Sequence, residues 1–150
     1  ITSDRVNFIN AGYIASDRGI KTTNSFSTEK ISFLNLIKTA VGSGDEKFEI
    51  EGSVFGKEHY RITKLYGREI DVRPHGHMIF IKNYDIPGVV GSIGKTLGDH
   101  GINIAEFILS RDTGSKVAST IIKVDQEVNQ NVTDALMELE QIIELRKIFI

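Results

Sequence analysis

Cysteine is absent from this 150-residue chain. That absence excludes disulfides, thiolate metal sites and a cysteine nucleophile, and it fits a reducing compartment. Long apolar runs are missing too: none approaches the roughly 20 residues of a membrane span, and no basic-then-apolar leader opens the chain. Neither sign of charge is in excess. With 18 Lys and Arg against 20 Asp and Glu, and both signs mixed along the chain, no broad basic face is offered to nucleic acid. Any anion site must be local. These absences lead to the expectation of a cytoplasmic protein with no nucleic-acid or membrane partner. The opening residues, ITSDRV, carry no Met, which suggests a processed chain or a piece of a longer one. What remains is an ordinary globular composition, 40% hydrophobic and 25% charged, enough for one domain or two small ones.

Two nucleotide-binding signatures are also lacking. The dinucleotide fingerprint GxGxxG does not occur. The stretch GVVGSIGKT, residues 88–96, approaches a phosphate-binding loop. Such a loop needs a glycine, four intervening residues and then Gly-Lys-Ser/Thr, so that consecutive backbone N–H groups wrap one phosphate chain. The required glycine position is occupied by Val89, and Gly88 stands one residue too early. These glycines need another reason.

Hydrophobic periodicity divides the chain in two. In VNFINAGYIASDRG, Val6, Ile9, Tyr13 and Ile14 share one helical stripe, and Gly19 sits where a helix commonly stops. The segments IKTTNSFST, ISFLNLIKTAVG, FEIEGSVF, HYRITKLYG and REIDVRP then read as strands, separated by Gly-containing turns at GSGDE, GKEH and YGR. From Met78 the order is strand MIFIKNY, helix PGVVGSIGKTLGDHG, strand INIAEFILSRD, a tight turn at TGSK, strand VASTIIKVD, helix VTDALMELEQ and strand IIELRKIFI. The expected fold class is therefore α+β. A mostly β domain with one helix spans residues 1–76, and a ferredoxin-like βαββαβ domain spans 77–150, with the boundary near Pro74 to His77.

Within the helix after Pro87, Val90, Ile93 and Leu97 form the apolar stripe, while Gly91, Gly94 and Gly98 form a second one. An interior glycine costs about 1 kcal/mol relative to alanine, so three weaken the helix by roughly 3 kcal/mol unless close packing offsets the loss. Packing on the chain's own domain and packing at an interface both remain open. The start of the helix carries more chemistry. Pro87 suits the first helical position, and Asp85 suits capping the helix or approaching its exposed N–H groups. Those N–H groups, with the positive end of the helix dipole, suit a carboxylate, and Asp85 suits an ammonium group. Together they describe an amino-acid zwitterion. Asn103, opening the next strand, could supply a donor and an acceptor to the same ligand. The plainer alternative, Asp85 as a helix cap and Asn103 as a turn residue, stays open on these residues alone.

DIPGVVGSIGKTLGDHGINIAEFILSRD followed by VASTIIKVDQEV resembles an ACT domain. VNFINAGYIASDRGI and LYGREIDVRPHGHMIFI resemble the intervening allosteric-substrate-binding domain, and its junction with ACT, in the long form of the D-3-phosphoglycerate dehydrogenase family. The resemblance covers essentially all 150 residues. It implies the C-terminal regulatory part of an NAD-dependent oxidoreductase of L-serine biosynthesis, with no cofactor and no catalysis in this fragment. In that family ACT domains pair edge to edge, and L-serine binds at their interface for feedback inhibition. Carried onto this sequence, the effector residues are Asn83, Asp85, Ile86, Pro87, Gly88, Val89, Asn103 and Ile104. Asn83 stands where serine-binding relatives often have Tyr or His, and Ile86 where Arg is frequent. The implied effector is thus L-serine or a related small amino acid.

Some relatives carry a basic anion site in the intervening domain, which implies Arg61, Arg73 and Lys123 here, for phosphate or 3-phosphoglycerate. Glu69 falls at a family His position, where it would repel an anion. Strand parity adds a separate argument. If Tyr60 and Ile62 share a buried side with Ile70 and Val72, paired residue numbers sum to an even value, and Arg61 and Arg73 fall together on the other face. Exposed ion pairs with Glu69 and Asp71 are the alternative.

Of the four histidines, His75 and His77 lie in the linker as two ligands without a third, so no metal is expected. His59 sits at a hairpin turn and His100 at a helix end, and none has a Ser, Cys or Asp partner at motif spacing. A homodimer or larger assembly is expected, because the ferredoxin-like order leaves the mostly apolar INIAEFILSRD at a sheet edge. Two other readings stay open: the regulatory part of an iron–sulfur L-serine dehydratase, and a dimerisation module that binds no ligand.

Overall fold

The computed structural model describes residues 6–28, 35–43, 46–111 and 114–150. The chain divides into two compact units, Ile1–Ser32 and Phe33–Ile150. In the first, helix α1 (Ala11–Asp17) is entered through a local box: the Asn7 side chain accepts N–H bonds from Ile9 and Asn10, and the Asn10 side chain accepts one from Asn7. It ends as the glycine suggests. Gly19 takes φ 69, its N–H bonds Ser16 O, and Ile20 N–H bonds Ala15 O, the paired closure of a Schellman motif. No residue of α1 is buried: of the expected apolar stripe Ile9 and Tyr13 are 95% and 76% exposed, and Ile14 is half-buried. The strand expected over IKTTNSFST is not formed: residues 20–28 have no regular structure. A strand persists only beside another strand, and the described residues of this unit form none.

The second unit holds two four-stranded sheets. Strands β1 (Ile37–Ser43), β2 (Glu46–Phe55), β3 (His59–Leu65) and β4 (Arg68–Val72) form an antiparallel meander in that order. Of the strand expected from ISFLNLIKTAVG, the described residues form a strand from Ile37; residues 31–34 lie outside the described residues. The β3–β4 hairpin turns through Tyr66 (φ 50) and Gly67 (φ 74). A positive φ costs a non-glycine residue about 1–2 kcal/mol. The Tyr66 ring offsets that by lying edge-on to Phe48 at 4.7 Å and stacked on Phe80 at 5.2 Å.

The second sheet is built from β5 (His77–Tyr84), α2 (Val89–Asp99), β6 (Ile104–Ser110), β7 (Val117–Val124), α3 (Gln130–Met137) and β8 (Ile142–Phe149). Its strand order β6-β7-β5-β8 is the ferredoxin-like arrangement expected of the βαββαβ pattern. Helix α3 starts two residues earlier than its apolar period, because the Asn129 side chain caps it by accepting the Val132 N–H.

MIFI is apolar at successive positions, and Ser119 and Thr120 are buried beside Ile121 and Ile122, because β5 and β7 are covered on both faces. Ile79, Ile81, Ile122 and Val124 face α2 and α3, against Val89, Ile93, Leu97, Val132 and Leu136. Met78, Phe80 and Ile121 face the meander, against Leu65, Ile70 and Val72. The chain changes sheet between Val72 and His77, and one apolar layer joins the two sheets. On α2 the glycine ridge does not pack on its own domain: a Cβ at Gly91, Gly94 or Gly98 would meet nothing within 4 Å. The helix buries Val89, Ile93 and Leu97 alone. No helix among the described residues is long and apolar enough to cross a membrane.

Candidate effector site

The loop between β5 and α2 departs from the capped helix start expected of it. Gly88, at φ 91, is the N-cap; it makes no side-chain cap, and the helix begins at Val89 rather than Pro87. The positive φ turns the chain into the helix, a bend only glycine takes without strain. Asp85 is therefore not a helix cap. The first hydrogen bond of the helix runs from Ser92 N–H to Gly88 O, which leaves the N–H groups of Val89, Val90 and Gly91 without partners inside the helix. Ile86, Pro87 and Gly88 are exposed, whereas the Val89 side chain belongs to the core.

Asp85 is held from two sides. Its N–H donates to Lys116 O at 2.9 Å, and Arg111 Nη2 stands 2.9 Å from its Oδ1. The Asp85 side chain is only 19% exposed, while that of Arg111 is 65% exposed. Although the pair is at ion-pair distance, Oδ1 is buried and accepts no well-directed hydrogen bond. The guanidinium supplies charge from the side without satisfying the oxygen. Asn83, two residues before, is fully buried: its amide donates to Tyr84 O at 2.9 Å and accepts from Thr120 Oγ1 at 2.8 Å. It lies beneath the loop, in the layer under the helices.

Asn103 is not beside Asp85. It is exposed, its side chain donates to Asp125 Oδ2 at 2.5 Å, and Asp125 N–H returns to its carbonyl at 3.3 Å. Ile104, next along, is partly buried against the helical core. Asp85 is level with Lys116 and Asn103 with Asp125, so nine residues of chain along β7 separate them, about 30 Å at the rise of a strand. One chain cannot bring both to one amino acid. Sequence adjacency misled here because the helix between them returns the chain to the far end of the sheet.

The arginine pair is brought together. Ile62 pairs with Val72, the even register, before a shift that sets Lys64 against Glu69. Arg61 and Arg73 line one cavity of about 440 Å³ with His59, Tyr60, Phe55 and Asp71. Tyr60, expected on the buried side, is 56% exposed at the end of β3. Arg61 already grips Asp71 with both arms, Nε to Oδ1 at 2.7 Å and Nη2 to Oδ2 at 3.2 Å. Lys123 and Glu69 do not line this cavity; Lys123 pairs with Glu106 at 3.2 Å. His59 was legible only as a turn residue, since nothing in its neighbours marks a cavity wall. Arg68 and Ser115 were missed altogether.

Two family models match successive stretches of the chain. Residues 77–141 match the family model of the ACT domain. Residues 1–66 match that of the D-3-phosphoglycerate dehydrogenase intervening domain. The chain is a regulatory portion of the D-3-phosphoglycerate dehydrogenase family. The D-3-phosphoglycerate dehydrogenase of Bacillus subtilis (strain 168) is 29% identical over 143 residues, covering 95% of this chain and 27% of that protein. That of Methanocaldococcus jannaschii is 32% identical over 137 residues, 91% of this chain and 26% of the relative. That of Archaeoglobus fulgidus is 30% identical over 146 residues, 96% and 28% respectively. The chain thus spans about a quarter of the length of these phosphoglycerate dehydrogenases.

Proposed function

We propose that this chain regulates a cytoplasmic, NAD-dependent D-3-phosphoglycerate dehydrogenase by binding L-serine, or a related small amino acid, between the ACT domains of two copies. One observation carries the reading. Asp85 and Asn103 lie at opposite ends of the second sheet, and β6, which joins those ends, stands at its edge with no strand beyond it among the described residues. Antiparallel pairing of β6 with β6 of a second copy brings Asp85 of one chain beside the partner's Asn103, twice over. Two half-sites then become two whole ones. In each, the helix N–H groups after Gly88 take the carboxylate, Asp85 takes the ammonium, and the partner's Asn103 adds a donor and an acceptor. Ile86 and Pro87, exposed on the loop, supply the wall.

Mixed dimers test this arrangement. Asp85→Ala and Asn103→Ala chains each lose or weaken both sites, but a mixed dimer retains one site with both wild-type residues. Calorimetric titration with serine should show about a quarter of the wild-type sites at wild-type affinity in an equimolar, freely exchanged sample, since about half of its dimers are mixed and each keeps one intact site. No recovery on mixing overturns the shared site. No serine binding by the wild-type dimer leaves a dimerisation module. The iron–sulfur dehydratase reading has no support from the intervening-domain match.

The cavity of Arg61 and Arg73 is the second part of the proposal, as a site for phosphate or 3-phosphoglycerate. Two guanidinium groups line one cavity, and Asp71 is the group an anion must displace from Arg61.

A further inference from the structure

We propose that Arg68 is a positioning residue of the effector loop, holding Asp85 in place from the β3–β4 hairpin through the first residues of β7. The inference rests on the reading of Asp85 as effector ligand and adds a regulator of its position. The β6–β7 ladder stops at the pair Ser110 and Ser119, so the Val117 carbonyl lies beyond the reach of that ladder. An orphan carbonyl there needs a donor. Arg68 supplies it, Nη1 to Val117 O at 2.6 Å, while Nη2 reaches Ser115 Oγ at 3.3 Å. Ser115 Oγ in turn accepts the Val117 N–H at 3.1 Å. One residue back, just before β7, Lys116 O accepts the Asp85 N–H. The successive carbonyls of Val117 and Lys116 therefore hold Arg68 on one side and Asp85 on the other.

The neighbouring residue grips the second strand of the same frame. Ser110 Oγ donates to Glu69 O at 2.8 Å, and Arg111, next in the chain, is the ion-pair partner of Asp85. Arg68 and Glu69 thus hold the ends of both strands that position the Asp85 carboxylate. Their own position is stiff, because they follow a turn whose Tyr66 ring lies between Phe48 and Phe80. A partly buried, charge-assisted bond at 2.6 Å is among the stronger contacts available to such a clamp. Since coupling between sites is reciprocal, an amino acid seated at Asp85 is felt at Arg68, on the sheet that carries Arg61 and Arg73.

Arg68→Met removes the donors and keeps the aliphatic bulk, and residue-resolved amide exchange of the 150-residue chain reads the result without ligand. The Asp85 amide should exchange about tenfold faster or more, while Ile79 and Ile81, buried mid-strand, stay within about twofold. Serine affinity should fall several-fold, although Arg68 does not touch the ligand, and Arg68→Lys should recover part of it. Unchanged exchange at Asp85 in a folded variant overturns the proposal, as does faster exchange with unchanged serine affinity. A wild-type chain that binds no serine sinks the effector reading, and the exchange at Asp85 then decides the clamp by itself. If Arg68→Met does not fold, Ser115→Ala removes one of the two Arg68 contacts. It should shift Asp85 exchange the same way, and no shift overturns the clamp.

Discussion

Thr120 Oγ1 donates a 2.8 Å hydrogen bond to Asn83 Oδ1, and neither residue has any exposed surface. The pair joins β7 to β5 in the layer beneath the helices, directly before the loop that presents Asp85. Removing one partner strands the other in an apolar layer. Thr120→Val should lower unfolding free energy by about 1–3 kcal/mol in urea titration. Adding Asn83→Leu should restore part of the loss, since the stranded amide oxygen goes with it, while Tyr84 O gives up the Asn83 donor. A double variant less stable than Thr120→Val would assign the pair a role beyond mutual satisfaction.

Asp85→Ala should remove serine binding, because it leaves a partly buried ligand charge unpaired, at a cost of about 2–5 kcal/mol. Asn103→Ala should weaken binding less, by about 0.5–1.5 kcal/mol for a neutral hydrogen bond. Both variants should remain dimers in sedimentation. Normal serine affinity in Asp85→Ala with a lower melting temperature would make the residue structural only.

Phosphate or 3-phosphoglycerate should bind the cavity of Arg61 and Arg73, more weakly as salt is added. Arg61→Ala with Arg73→Ala should abolish binding. Asp71→Asn should strengthen it, since it frees Arg61 from a bidentate partner and removes a like charge. Weaker binding in Asp71→Asn, with the fold intact, would show that Asp71 orients Arg61 for the anion rather than competing with it.

Gly94→Ala tests the bare ridge of α2. With nothing within 4 Å of the added methyl, the change should stabilise the chain by about 0.4–1 kcal/mol through the smaller entropy of the unfolded state. Sedimentation of the same variant reads the second possibility. If the ridge meets another copy, the dimer weakens while the fold does not.

Much of this was legible in the sequence, and the reason is local. A two-residue period with β-branched residues, a Gly after a helical stripe and the strand-helix-strand order from Met78 need only near neighbours to be read. They sufficed for the ferredoxin-like sheet and for the stop of α1 at Gly19. Where local signals failed, the missing quantity was a partner. IKTTNSFST alternates like a strand, but the described residues of its unit form no strand to pair with it. Gly88 replaced Asp85 at the helix start because a positive φ, invisible in the letters, made the turn. Asn83, implied as an effector residue by the resemblance, is held in the core by Thr120 across the sheet.

By itself the sequence determined the residue types that can receive an amino acid or an anion, and the order of strands and helices that carry them. Only the tertiary structure decided which of them meet. Asp85 and Asn103 are 18 positions apart in the chain, but register sets them at opposite ends of one sheet. Arg68 and Val117, 49 positions apart, touch. Strand register and the stacking of one sheet on another are non-local choices, made by burying Met78 and Ile121 against Val72. No window of neighbouring residues contains that information.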